Sequence, residues 1–105
     1  MEQTENKPLV AKTLDNINIK DAKSKVSDIK VFGNGNLFEL LSKASSKEQG
    51  WMKSTKAMQI ESGGCVIQVT TQQKNPNGSY SIAEALTFVP NVKIMKDAEG
   101  NKYLY

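Results

Sequence analysis

Short breaks at Ser62-Gly63-Gly64, Lys74-Asn75-Pro76-Asn77-Gly78 and Lys96-Asp97-Ala98-Glu99-Gly100-Asn101 divide the second half of the chain into brief runs of extended character. Gly, Asn and Pro clustered in this way supply the backbone angles of tight turns. Between the first two breaks, Cys65, Ile67, Val69 and Thr71 fall on one side of an extended chain, and Val66, Gln68, Thr70 and Gln72 on the other. That alternation suits a half-buried antiparallel strand. Ala57–Glu61 is expected to pair with it across the two glycines. After the second break, Tyr80, Ile82, Leu86 and Phe88 share one strand face, interrupted by Glu84. The stretch Ser81–Leu86 could instead make a helical turn, since Ala, Glu and Leu favour helix. Val92–Met95 and Lys102–Tyr105 are expected to form a last hairpin.

The first half reads differently. Residues 1–24 are polar and form an expected N-terminal arm, flexible until it meets a partner, with residues 16–20 as a candidate edge strand. Val26–Phe32 alternates weakly and is read as a short strand. Asn36 with Glu39 resembles a capping box ahead of Leu37, Phe38, Leu40, Leu41 and Ala44 at helical spacing. Lys43 and Lys47 suit a helix end, and Gly50 suits its stop. The expected architecture is α+β: one main helix packed on an antiparallel meander of four to five strands, residues 25–105 forming a single domain behind the arm. A chain of 105 residues has room for one core.

Composition narrows the chemistry. All 14 basic residues are Lys, and there is no His. Without imidazole the usual general base is missing, and Cys65 has no His to activate it. Ser54 with Lys56 is the one conceivable nucleophile–base pair, and the plainer reading is a strand edge or loop. One Cys and scattered carboxylates do not make a zinc site, and Asp97–Asn101 lacks the spacing of a calcium loop. No enzyme activity, cofactor or metal is expected. Gly33-Asn34-Gly35 lacks the third glycine of a dinucleotide fingerprint and the Lys-Ser/Thr of a phosphate loop, so it reads as a loop. The absence of Arg argues against base-specific DNA readout. No run approaches the length of a membrane span, and a single unpaired Cys suits a reducing compartment, so a cytoplasmic protein is expected.

The candidate binding residues are aromatic and basic. Trp51 is followed by Lys53 and Lys56, a set that could stack a nucleobase and meet its phosphates, or anchor a protein interface. The plainer reading puts Trp51 in the core with both lysines solvated. Tyr80, Tyr103 and Tyr105 form a second candidate surface; the last two share one face of the final strand and could cover a sheet edge or line a homodimer seam.

Leu37-Phe38-Glu39-Leu40-Leu41 through Trp51-Met52-Lys53-Ser54-Thr55-Lys56-Ala57, then Gln68-Val69-Thr70-Thr71-Gln72 and Ala83-Glu84-Ala85-Leu86-Thr87-Phe88-Val89-Pro90, resemble small accessory proteins encoded by bacteriophages and prophages. The resemblance spans about the last two-thirds of the chain and implies a bacterial cell and an accessory role; it carries over no functional residue. The expected function is that of a non-enzymatic accessory or regulatory protein contacting a host or phage protein. The alternative is a sequence-independent binder of single-stranded nucleic acid.

Overall fold

The computed structural model describes residues 18–33 and 37–105. Its chain order is α1 (Ile19–Lys25), β1 (Glu39–Ser46), β2 (Trp51–Gln59), β3 (Cys65–Lys74), β4 (Tyr80–Val89), β5 (Ile94–Lys96) and β6 (Lys102–Leu104). The first four strands form an antiparallel meander in sequence order, and the last two form a separate hairpin. The fold is therefore nearly all-β, and the expected main helix is absent. The segment expected to hold it forms β1, paired with β2 from Glu39 opposite Ala57 to Ser46 opposite Trp51.

The reason lies in the local sequence. Leu37-Phe38-Glu39-Leu40-Leu41 is too short to separate the helical period from the strand period. Ser42, Ser45 and Ser46 follow, and serine side chains compete with a helix for its backbone hydrogen bonds. A bulge between Leu40 and Ser42 then accommodates the leucine doublet. Leu40 keeps to the face of Lys56, while Leu41 packs against the core on the other side. The extra residue also shifts the alternation downstream, so that Lys43 points to the same face as Ser54. Asn36, the expected helix cap, lies outside the described residues.

The helix that does form covers the end of the expected arm and runs one residue beyond it, to Lys25. Asn18 caps α1, its side chain accepting from the Asp21 backbone N–H at 2.9 Å. Residues 1–17 of the arm lie outside the described residues. Ile19 and Lys20, expected in an edge strand, begin the helix. Val26–Phe32 joins no strand: Val26 closes α1, its N–H donating to the Ala22 carbonyl.

The hairpins expected from the glycine and asparagine breaks are present. β2 and β3 pair from Gln59 opposite Cys65 to Trp51 opposite Gln73. Their connection is closed by the Ile60 N–H on the Gly64 carbonyl and the Gly63 N–H on the Ile60 carbonyl, each at 2.9 Å. β3 and β4 pair in unbroken register from Cys65 opposite Val89 to Lys74 opposite Tyr80. Ser81–Leu86 is thus strand throughout. Asp97 organises the last tip, its carboxylate accepting from the Glu99 and Asn101 N–H groups at 2.9 and 2.8 Å.

The core sits at one end of one sheet face. Ala57, Cys65 and Ile67 are buried there, with Leu41, Val89, Val92, Ile94 and Leu104 packed on them. The β5–β6 hairpin brings Ile94 and Leu104 over this end. It is fastened by the Ile94 N–H on Gln59 Oε1 at 2.9 Å and by an ion pair between Lys102 and Glu39.

Candidate functional site: an open strand edge and its apolar row

Residues directly opposed in an antiparallel ladder point to the same face, so the register assigns every side chain to one of two surfaces. One surface carries Ser45 and Lys43 on β1, Met52, Ser54, Lys56 and Met58 on β2, Val66, Gln68, Thr70 and Gln72 on β3, and Ile82, Glu84, Leu86 and Phe88 on β4. The other carries Trp51, Lys53 and Thr55, with Val69, Thr71, Ala83 and Ala85, and runs into the core.

On the first surface the central strands are covered and β4 is open. Met52, Ser54, Lys56 and Thr70 are buried, whereas Ile82, Leu86 and Phe88 are 65%, 60% and 53% exposed. Thr70 donates from Oγ1 to Glu84 Oε2 at 3.1 Å, turning that carboxylate inward along its own sheet. Lys56 lies one row further along, opposite Gln68. Burial lowers its pKa, the neighbouring Lys43 charge lowers it further, and Glu84 opposes both.

The two edges of the meander differ. β1 has a bulge, carries Glu39 and Lys43, and lies beside β6 through the Glu39–Lys102 ion pair. Bulges and charges of this kind keep an edge from pairing with other chains. β4 is ten residues long, pairs only with β3 in the described sheet, and has neither Lys nor Pro between Tyr80 and Val89. Its one charged residue is the inward-turned Glu84.

The predicted site residues do not converge. Trp51 and Lys53 share a face, the Lys53 ammonium lying 5.6 Å from the indole centroid. Lys56 projects from the opposite face, because it lies an odd number of residues from Lys53 along β2. Trp51 is half-buried, and its indole N–H donates to Gln49 Oε1 at 3.1 Å. Lys53 and Thr55 border an open recess of about 340 Å³ with Ser42, Ala44, Val69 and Thr71. Tyr80 begins β4 and is half-buried. Tyr103 and Tyr105 belong to the separate hairpin region, 43% and 84% exposed, while Leu104 between them turns inward. Sequence reasoning placed Ile82, Leu86 and Phe88 on one face without counting them as a site. The signal was a long strand-like run lacking the lysines and prolines that guard an edge.

Cys65 is fully buried, and its Sγ lies 3.6 Å from the Val92 carbonyl. Burial pushes its pKa up, with the Glu39 charge adding to the effect, so the thiolate needed of a nucleophile is disfavoured. Among the described residues no three His, Cys, Asp or Glu side chains group as a metal site, and no helix is long and apolar enough to cross a membrane.

The model of the Lockin family matches residues 9–105, and the chain belongs to that family. Neither the curated proteins nor the solved structures contain a match.

Proposed function

We propose that this member of the Lockin family is a non-enzymatic accessory protein that works by protein–protein contact, receiving an extended segment of its partner along the β4 edge. The observation that carries this reading is the edge itself: among the described residues the ten-residue β4 pairs with β3 alone, and Ile82, Leu86 and Phe88 are exposed in a row along it. Strand addition draws affinity from main-chain hydrogen bonds and selectivity from the side chains at alternate positions. The lack of His and Arg, together with a buried thiol held protonated, argues for binding over turnover. The bacteriophage resemblance supports a bacterial cytoplasm as the setting and a host or phage protein as the partner.

The test is capture from bacterial lysate by the immobilised chain, compared with an Ile82→Lys/Leu86→Lys variant. Both substitutions fall on exposed positions, and circular dichroism should show the sheet intact. The reading expects specific capture by the wild type and its loss in the variant. Equal capture by both would refute it.

A second reading, a sequence-independent binder of single-stranded nucleic acid, draws on the Trp51–Lys53 pair beside the open recess. Trp51 is the only tryptophan, so its fluorescence reports directly on stacking. This reading expects quenching by an oligothymidine that weakens steeply with salt. Unchanged fluorescence at low salt removes it.

A further inference from the structure

The geometry points to a second copy of this chain as an occupant of the β4 edge, paired antiparallel about a two-fold axis through Ala85. This rests on the reading of β4 as the binding edge and names what can fill it.

The register follows from the pleat. In a two-fold antiparallel pair one residue faces its own copy, and every other opposed pair must point to the same sheet face. Three central registers can be compared. Centring on Glu84 sets two carboxylates opposite each other, a destabilising arrangement. Centring on Leu86 pairs only residues 83–89 and leaves the first part of the strand without a partner. Centring on Ala85 pairs residues 81–89 throughout, and the next position outward is Pro90, which has no N–H to donate.

That register is also complementary in its side chains. It sets Ile82 against Phe88 of the second copy and, by symmetry, Phe88 against its Ile82. Glu84 meets Leu86 of the second copy and keeps its Thr70 hydrogen bond, with no like charge opposite. On the reverse face Ala83 meets Thr87, and Ala85 meets itself, so small side chains line the seam. The paired strands would run for roughly 30 Å and join two four-stranded sheets into one. The opposite edge cannot do the same, because β1 is bulged, charged and tied to β6 through Glu39 and Lys102. Of the two exposed tyrosines near the C-terminus, Tyr103 lies on the three-residue β6 and Tyr105 just beyond it, a much shorter seam than β4 offers.

Two measurements test this. Light scattering on the wild-type chain at its highest soluble concentration should give twice the 11.6 kDa of one chain. Mild oxidation of Ala85→Cys should then give a disulfide-linked dimer, since directly opposed Cβ atoms lie about 5 Å apart. Ala83→Cys is the control: its copies would stand about 14 Å apart in this register and should not cross-link. Cys65 is buried and does not confuse the result. A monomeric mass, or cross-linking of Ala83→Cys as readily as Ala85→Cys, would overturn the inference. A monomer whose lysate capture is still abolished by Ile82→Lys/Leu86→Lys sinks the self-pairing alone. Self-association and capture both unaffected by that variant sink the edge reading with it.

Discussion

Lys56 spends free energy on a charge its surroundings do not favour. Only 9% of the residue is exposed, and the positive Lys43 on β1 shares its face. Met52 and Met58, two rows away and one row away on the same face, show that a long apolar side chain fits this surface. Lys56→Met should therefore stabilise the fold by about 1 kcal/mol at neutral pH, read from denaturant unfolding. The gain carries a pH signature. Because the folded pKa lies below the ordinary 10.5, the unfolded chain binds more protons between the two values, and the wild type gains stability as pH rises through that window. The advantage of the variant should shrink there; a constant advantage would mean that the ammonium is not the cause. Cys65 has the opposite dependence. Its folded pKa is raised above 9.0, so the unfolded thiol ionises first and stability falls as pH climbs past that value. Native Cys65 should also react with a thiol reagent at least about 100-fold more slowly than the unfolded chain. A native rate equal to the unfolded rate would contradict its burial.

At the scale of elements, the turns decide the fold and the β2–β3 turn is the least tolerant. Gly64 has φ +99°, and a Cβ there would stand 2.6 Å from Phe88 Cζ and 2.8 Å from the Val89 carbonyl oxygen. Neighbouring Gly63 also has positive φ, at +121°, but faces open space. Gly64→Ala should cost about 3 kcal/mol and Gly63→Ala about 1 kcal/mol, as seen in thermal unfolding. Equal losses would show that backbone angle alone matters at this turn. These glycines, with the Asn75–Ser79 and Asp97–Asn101 turns, are also why the hairpins were legible from sequence: turn chemistry is local, whereas Ser81–Leu86 suits strand or helical turn until its pairing with β3 decides. β1 was not legible, since five apolar-rich residues satisfy both periods and tertiary pairing with β2 decides between them. The bulge that sends Leu41 to the core and Lys43 to the other face depends on that pairing too. The short α1 hid in a polar stretch whose only clear marker is the Asn18 cap.

At the scale of the molecule, among the described residues the sheet has one defended edge and one open edge, and this asymmetry is the basis of its proposed role. No single residue announces it. Ile82, Leu86 and Phe88 were readable as one face, but only strand order shows that the face belongs to an outermost strand. The Trp51–Lys53–Lys56 cluster failed as a unit for a simpler reason: residues at odd separation on a strand part to opposite faces. Residue-resolved amide exchange on the dilute chain tests the open edge most directly. Within β4, amides bonded to β3 should exchange slowly while the alternate, outward-pointing amides exchange fast. Slow exchange at every β4 amide in the dilute monomer would contradict the account, because the edge would then already be covered.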